Sequence, residues 1–538
     1  MADAAISAVE NASDAARLSV DDGPPAIESE RRRARYSLIR YSPWLFLLLI
    51  VIADAGQRAD PDLWGHLRFG QAILASGHAP THDPYSYTAA GAPWIDCEWL
   101  CEAVMAVAYN HFGIVGLKAW KLICVAGTLG FMSIGLAETE AALALQFQIM
   151  TVAAIGLMLY MQFRPQIFTY LMFAILLALL ARKWFRRRGA LLAVVPLMAL
   201  WANLHGGFII GLATLGAYSL GAALSDARGL GAGIRRGAQL GGLTVAATAA
   251  TLANPYGIGL WRVIAGTLSN STIRVANEDW LPLSRVVARE WHGDLSGVVF
   301  LLCTVGLIAA TALAVVLAPR ADDFPFVVIA AIMCVAAITA ARNLPLAIIA
   351  CVAPLARRLA LLKRQSEATV MTRSAVNPFI AVLMLFFLAA GTGILSGRLR
   401  TAGKYPADAV EFMRRHALQG NILNEFGWGG YLIWHSSPGL KVFIDGRCET
   451  FYTSSVINQY IDFHFDLRGA QEVLDEWPHD FVLIPPAAPA YNLMATESGW
   501  RLIYRDATSA LFARVGTPGA LVAPLIRPAE TPAVEYFP

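Results

Sequence analysis

The feature that most constrains this chain is a series of long apolar stretches that recurs along most of its length. One bilayer crossing by a helix takes roughly 20 apolar residues. Hydrophobic residues make up 57% of the 538 residues and charged residues only 15%, whereas a soluble globular protein carries about 25% charged residues. The pattern therefore predicts a polytopic α-helical membrane protein, and it excludes a soluble enzyme with a single core.

The basic residues predict how the chain is oriented, because cytoplasmic loops of membrane proteins are rich in Lys and Arg. Arg31, Arg32, Arg33 and Arg35 precede the first apolar stretch, so the N-terminus is expected in the cytoplasm. About eleven spans place the remaining basic clusters on the same side. The predicted spans are 41–56, 114–136, 141–160, 165–182, 190–205, 207–225, 236–254, 295–318, 324–341, 344–361 and 376–396. We interpret 98–112 as a helix at the membrane surface, because Glu98, Trp99 and Glu102 suit an interface better than hydrocarbon.

This topology predicts three regions. Residues 1–40 form a disordered cytoplasmic tail, 41–397 form the membrane domain with a large first external loop at 57–113, and 398–538 form a soluble extracytoplasmic α/β domain. Short strands are expected in the last region at 421–426, 431–434, 442–444, 481–485 and 502–504, with helices at 406–416 and 467–477. The predicted localisation is a bacterial inner membrane. The net charge of +3 gives no indication of nucleic-acid binding.

The topology is derived from the basic clusters alone. It nevertheless predicts that the polar and aromatic motifs lie together on the exterior side. The external segments are 57–97, 162–166, 201–207, 254–257, the loop through Glu278-Asp279-Trp280, and 342–343. Polar groups at membrane depth are costly unless they face a cavity or one another. Their collection at one interface predicts a single external site.

The triplet Asp60-Pro61-Asp62 places two carboxylates just after the first span. Hard divalent cations such as Mg²⁺ and Mn²⁺ favour oxygen ligands and commonly bind through one or two carboxylates plus a substrate phosphate. The triplet is therefore a candidate metal site. By spacing alone, such a triplet is in most proteins a solvated loop, but its position at the edge of the bilayer favours the metal site.

The segment from Asp60 to Arg68, with Asp83-Pro84-Tyr85-Ser86, Trp94 and Glu98-Trp99-Leu100, resembles the first external loop of bacterial GT-C-class membrane glycosyltransferases. The group includes relatives of the protein O-mannosyltransferases and aminoarabinose transferases. Further similar motifs are Arg164-Pro165-Gln166, Asn203 to Gly207, Asn254 to Gly257, Arg342-Asn343, Gly429 to Trp434 and Phe443 to Arg447. The resemblance implies a polyprenyl-phosphate-linked sugar donor, an acceptor of unidentified nature, and Asp60 or Asp62 as general base or metal ligand. The single Pro between the two acids departs from the adjacent acids of several GT-C groups.

Each remaining candidate has a structural alternative. Arg164 and Arg342 could hold a lipid phosphate or extend to the interface, and His205 could contact the phosphate or cap a helix end. Glu98 could serve as the base or be simply exposed. For substrate contacts we select Trp64, His66, Asp83 and Tyr256. The alternatives are an aromatic belt for the tryptophan, turn initiation for Asp83 and helix termination around Tyr256. Asp445 and Arg447 are expected to form a structural pair.

Three functions remain open. The first, which we favour, is a lipid-phosphate-sugar-dependent glycosyltransferase acting on the extracytoplasmic face. The second is a transporter or flippase of lipid-linked substrates, which would need ionisable residues near mid-bilayer. The third is a non-catalytic scaffold for envelope-polysaccharide assembly that retains a GT-C fold.

Overall fold

The structure is a computed structural model that describes residues 58–139, 141–181, 192–224, 230–270, 280–291, 295–319, 323–364, 397–401, 404–527 and 536–538. Several sequence predictions lie outside these residues: the cytoplasmic tail 1–40, the spans 41–56 and 376–396, and the acidic pair Glu278-Asp279.

The first part of the described chain is helical, and most of its helices are strongly apolar. They are α1 (Leu63–Ser76), α2 (Trp99–Ala137), α3 (Leu143–Leu157), α4 (Gln166–Ala181), α5 (Val194–Leu204), α6 (Phe208–Leu224), α7 (Leu230–Ala250), α8 (Ile258–Ser269), α9 (Leu283–Trp291), α10 (Leu295–Leu317), α11 (Phe324–Thr339) and α12 (Leu344–Arg364). Three segments are long and apolar enough to cross a bilayer, namely Trp99–Ala137, Gly297–Leu317 and Ala341–Leu362. With the shorter apolar helices beside them, they identify a membrane protein.

Helix α2 is interrupted at the boundary that the sequence predicts between a surface helix and a membrane span. Gly113 has φ 58° and ψ −143°, a left-handed conformation inside an otherwise helical run of 39 residues. Glycine has no Cβ and tolerates this backbone, whereas other residues are strained by it. The break falls between the predicted segments 98–112 and 114–136.

The last part of the chain contains a six-stranded mixed sheet in the order β3-β2-β4-β6-β5-β7. Its strands are β2 (Gly420–Asn424), β3 (Leu440–Val442), β4 (Phe481–Ile484), β5 (Trp500–Arg505), β6 (Ala510–Arg514) and β7 (Leu525–Ile526), and a separate pair joins β1 (Leu399–Arg400) to β8 (Tyr536–Phe537). The accompanying helices are α13 (Ala407–Arg415), α14 (Gly429–Ser436), α15 (Ser454–His464), α16 (Ala470–Glu476) and α17 (Ala490–Thr496). Strand β2 runs parallel to β3 and β4, whereas β6 runs antiparallel to β4 and β5.

The α/β character of this region agrees with the sequence prediction, but one predicted strand is wrong. Residues 431–434 lie inside helix α14, because a short apolar run does not by itself distinguish a buried strand from a buried helix. The strand expected at 442–444 begins and ends two residues earlier, at Leu440–Val442. Helix α15 and strand β6 were not predicted.

The loop that the sequence predicts to be the first external one packs directly on this α/β region. The Val442 amide donates to the Tyr85 carbonyl (3.0 Å), and the Tyr87 amide donates to the Val442 carbonyl (3.2 Å), so the loop covers the edge strand β3. At a second contact, a Cβ on Gly430 of α14 would lie 3.2 Å from the Gly65 amide nitrogen of α1. The two regions therefore share one surface, and the candidate site lies there.

Candidate active site

A cavity of about 1360 Å³ lies between the helical part of the chain and the α/β region. One section of its wall is apolar and aromatic, formed by Leu159, Tyr160, Ile209, Ile210, Phe300 and Leu346. Another section carries most of the polar residues predicted from the sequence, namely Asp62, His66, Glu98, Arg164, His205 and Arg342. The cavity therefore has the mixed character of a binding site for a ligand with an apolar portion and a charged portion.

Arg164 joins both carboxylates of the Asp60-Pro61-Asp62 triplet. Its Nε lies 2.7 Å from Asp60 Oδ2, and a terminal guanidinium nitrogen lies 3.1 Å from Asp62 Oδ2. Asp60 also accepts a hydrogen bond from the Asp62 amide (2.9 Å) and is only 6% exposed. Asp62 and Arg164 contribute to the cavity wall, whereas Asp60 lies behind them. Asp60 thus fixes the arginine, and Asp62 is the aspartate of the triplet that faces the cavity.

His66, Glu98 and Glu102 form a compact group that could hold a metal ion, with ligating atoms within 4.8 Å of one another. His66 Nδ1 lies 2.8 Å from Glu102 Oε1 and 3.7 Å from Glu98 Oε2. Burial, and then the charge of Arg164, lower the pKa of His66 to about 3. The imidazole is consequently neutral at physiological pH, as a metal ligand must be.

A second carboxyl group, Asp96, faces Glu102. Asp96 Oδ2 and Glu102 Oε2 are both buried, and neither meets a hydrogen-bond donor among the described residues. Burial raises the pKa of Asp96. Two buried carboxylates in contact cannot both remain charged without a proton or a cation between them. A proton shared by the two carboxyl groups, or a cation bound between them, therefore balances this pair.

His205 directly follows the end of α5 at Leu204 and is held in one tautomer by its neighbours. Its Nδ1 accepts from the Gly207 amide (2.9 Å) and lies 2.8 Å from Thr169 Oγ1. The proton therefore sits on Nε2, which lies 3.3 Å from Glu98 Oε1. Glu98 therefore lies between the imidazoles of His66 and His205.

Arg342 occupies a short 3₁₀ turn, Ala341–Asn343, between α11 and α12. Its guanidinium lies 4.5 Å from the centre of the Trp280 ring. Stacking on an aromatic face orients a guanidinium. Arg164 and Arg342 thus place two guanidinium groups in the wall that carries the two histidines.

The α/β region reaches into the same site through Asp445-Gly446-Arg447. Arg447 is buried and pairs with Asp445 (2.6 Å) and with Asp83 of the first loop (2.8 Å). The predicted Asp445–Arg447 pair is confirmed. At Gly446 a Cβ would lie only 2.1 Å from Asp62 Oδ1, so the backbone of this segment contacts the aspartate that faces the cavity.

Two aromatic residues that the sequence suggested for substrate contact have structural contacts instead. Trp64 is fully buried against Tyr405, with ring centres 4.4 Å apart. Tyr256 donates from its hydroxyl to the Pro80 carbonyl (2.9 Å). Ring packing therefore holds Trp64, and a hydrogen bond holds Tyr256, each between segments far apart in the chain.

Asp83, the third residue suggested for substrate contact, is also structural. Its carboxylate is buried against Arg447 and accepts hydrogen bonds from the amides of Tyr85 and Ser86, each at 3.0 Å. Both oxygens are thus engaged, one of them by the arginine of the α/β region. Asp83 stabilises the turn of the first loop and its contact with that region.

Sequence reasoning missed the Asp96–Glu102 pair and the part of the cavity wall that lies near Glu425 and His464. The four-residue spacing of Glu98 and Glu102 places both on one helical face, so that signal was present. Glu425 and His464 lie in different elements of the α/β region, and no local pattern predicts their contact.

No protein-family model matches this chain, and no curated protein matches it in sequence. Its structure is similar to the crystal structure of the Archaeoglobus fulgidus oligosaccharyltransferase tethered to an acceptor peptide containing the NVT sequon, with a TM-score of 0.52 and 12% sequence identity over 82% of this chain and 69% of that chain. ArnT from Cupriavidus metallidurans bound to undecaprenyl phosphate matches with a TM-score of 0.49 and 14% identity, over 91% of this chain and 99% of that chain.

The first of these likenesses defines the class to which the fold belongs. The chain has the GT-C fold of polytopic membrane glycosyltransferases, with an additional region after the membrane helices. The GT-C resemblance noted in the sequence is confirmed at the level of fold.

Proposed function

We propose that this chain is a GT-C glycosyltransferase that moves a sugar from a polyprenyl-phosphate-linked donor to an acceptor hydroxyl on the extracytoplasmic face of a bacterial inner membrane. The observation that carries the proposal is the single cavity, which joins an apolar helical wall to a cluster of carboxylates, imidazoles and arginines. Nucleotide sugars are cytoplasmic, so an external site needs a donor that is carried across the membrane on a lipid.

The donor fits the cavity in one orientation, with its prenyl chain at the apolar wall and its phosphate at the charged wall. The apolar side chains of α4, α6, α10 and α12 and of the segment before α4 accommodate the prenyl chain. Arg164 and Arg342 supply charge-assisted hydrogen bonds to the phosphate. His205 lines the same space; its Nδ1 is occupied by the Gly207 amide, and its Nε2 proton faces Glu98.

Asp62 is the general base in this proposal. It faces the cavity, and its side chain is 29% exposed. It accepts the proton of the acceptor hydroxyl while the sugar's anomeric carbon is attacked and the lipid phosphate leaves. Arg164 stabilises the developing phosphate charge, and Asp60 holds Arg164 in place.

The cofactor in this proposal is a divalent cation, Mg²⁺ or Mn²⁺, bound by His66, Glu98 and Glu102 and not by Asp60 and Asp62. The aspartates are engaged by Arg164, whereas the buried Glu102 Oε2 has no donor among the described residues. When bound, the cation offsets negative charge on the phosphate. Binding of Mn²⁺ alone to the purified chain, followed by electron paramagnetic resonance, should be lost in Glu102→Gln and retained in Glu411→Gln on the surface of α13.

The topology remains part of the proposal. About eleven spans, with residues 1–40 in the cytoplasm and 398–538 outside, place the cavity on the external side. Reporter fusions at the N-terminus and after residue 538 test this orientation. External location of the first or cytoplasmic location of the second contradicts it.

The reaction is tested in proteoliposomes that contain bacterial lipid extract with its own polyprenyl-phosphate sugars. We expect the wild-type chain to release polyprenyl phosphate, measured by mass spectrometry, in the presence of envelope glycan. Asp62→Asn should abolish the release, whereas Asp475→Asn, an exposed aspartate of α16, should retain it. Equal release by wild type and Asp62→Asn would remove Asp62 from the mechanism, and no release by the wild type would contradict the transferase itself.

A further inference from the structure

The α/β region contributes its own section of the cavity wall, separate from the charged cluster. We define this tail wall as Glu425, Phe426, Tyr460, His464 and Phe465, all of which line the cavity. The residues come from the turn after β2 and from the end of α15. No sequence motif pointed to them.

The polar groups of the tail wall are fixed in position. His464 Nδ1 lies 2.9 Å from Glu425 Oε2, and the two side chains are 16% and 22% exposed. The Tyr460 hydroxyl accepts from the Phe426 amide (3.0 Å), and its ring stacks on His464 with centres 5.5 Å apart. Glu425 lines the cavity with its side chain 22% exposed, and a carboxylate has about four lone-pair sites, more than the contacts with His464 and Tyr460 use.

Aromatic surface surrounds this carboxylate. Phe465 is 54% exposed, and Phe426 lies beside Tyr460 with ring centres 6.2 Å apart. A preorganised acid next to exposed aromatic faces suits a ligand that is apolar on its flat sides and hydroxylated at its edges. A pyranose ring has these properties.

The tail wall is unsuited to the donor phosphate. Among the described residues of the α/β region that line the cavity, Arg447 is the only Lys or Arg. Its side chain is buried between Asp83 and Asp445 at 7% exposure, whereas that of Arg164 is 23% exposed. The apolar helices that accommodate a prenyl chain are also absent from this region as described. The tail wall therefore fits the second substrate, which is the acceptor.

A peptide acceptor fits less well than a sugar. Extended peptides commonly bind by adding a strand to a free sheet edge, but the edge strand β3 is already paired with Tyr85 and Tyr87 of the first loop. Residues of α15 present a helical face, whose backbone hydrogen bonds are internal.

We propose that the tail wall is the acceptor subsite and that it binds a carbohydrate acceptor through Glu425, His464 and the face of Phe465. The proposal rests on the transferase function proposed above, because it names the acceptor class for the same cavity. The shared chemistry is a sugar ring, which either a free oligosaccharide or a lipid-linked glycan supplies.

Binding is measured without a donor, by saturation-transfer NMR on the full chain in nanodiscs. The probes are methyl glycosides of glucose, N-acetylglucosamine and galactose, the matching octyl glycosides, and a tetrapeptide with Ser and Thr hydroxyls. We expect at least one sugar to bind and the tetrapeptide not to bind. Preference for octyl over methyl glycosides identifies a lipid-linked acceptor, and equal binding identifies a free glycan.

Two variants locate the site. Glu425→Gln should weaken sugar binding about tenfold through loss of a charged hydrogen-bond acceptor, and Phe465→Ala about fivefold. Phe465 is exposed, so its variant folds even if Glu425→Gln does not. Glu411→Gln is the matched carboxylate control. No sugar binding, unchanged binding in Phe465→Ala, or binding of the peptide alone overturns the proposal. Sugar binding without any polyprenyl phosphate release instead contradicts the transferase and leaves the subsite intact.

Discussion

Replacing Gly446 by alanine should disable the site through a single methyl group. A Cβ at this position would lie 2.1 Å from Asp62 Oδ1 and 2.8 Å from Asp62 Cγ. Carbon and oxygen atoms in ordinary contact are about 3.5 Å apart, so the two groups must separate by roughly 1 Å or more.

The aspartate is the partner that must move. Gly446 lies between Asp445 and Arg447, and both side chains are locked in a buried ion pair whose arginine also bonds to Asp83. Asp62 is held on its other side by a contact of 3.1 Å with Arg164. Its displacement therefore weakens the pairing with Arg164 and misplaces the base. A misplacement of about 1 Å in an active site can cost about a hundredfold in rate, and overpacking costs about 1–3 kcal/mol of stability.

The assay is polyprenyl phosphate release in proteoliposomes, with Gly499→Ala as the control. A Cβ at Gly499 meets nothing within 4 Å, so this variant should match the wild type. Thermal unfolding of both variants separates a local effect from a folding defect. Wild-type release by Gly446→Ala would refute the argument that this segment sets the position of Asp62.

Two further predictions concern the α/β region. Arg447→Met should destabilise the packing of this region on the first loop by about 3–5 kcal/mol, because it leaves the carboxylates of Asp83 and Asp445 buried without their cation; an unchanged thermal midpoint and unchanged resistance to proteolysis would contradict this. Burial lowers the pKa of His479 to about 4, and its neutral ring accepts from Tyr87 Oη (2.5 Å) and donates to the Val473 carbonyl (2.9 Å). Between pH 6.5 and about 4 the unfolded chain binds a proton that the folded chain does not, so stability should fall as the pH falls through this window; thermal unfolding at pH 7, 5.5 and 4.5 should show a weaker pH dependence in His479→Gln than in the wild type.

Local pattern predicted several of the apolar helices and several residues that line the cavity. The bounds of the apolar stretches predicted helices such as α6 and α10 closely. The break at Gly113 lies between the predicted surface helix and the predicted span. Arg164 was selected because it follows an apolar stretch on the predicted exterior, and the structure places it against Asp60 and Asp62.

Contacts between residues far apart in the sequence could not be predicted from local pattern. Asp83 precedes a proline, which predicts a turn residue, yet its charge is balanced by Arg447, 364 residues later. Residues 431–434 were predicted as a strand because their apolar run is short, but packing of α14 on α1 makes them helical. The composition of a segment predicts its local secondary structure, but it does not predict which distant segment packs against it.

The central claim is that the cavity binds a polyprenyl phosphate with its arginines. The most direct measurement is native mass spectrometry of undecaprenyl phosphate bound to the wild type and to the double variant Arg164→Gln, Arg342→Gln. The account predicts a saturable one-to-one complex for the wild type and a loss of at least tenfold in affinity for the double variant, since each lost charged hydrogen bond costs about 1.5–3 kcal/mol. Equal binding by both proteins would contradict it.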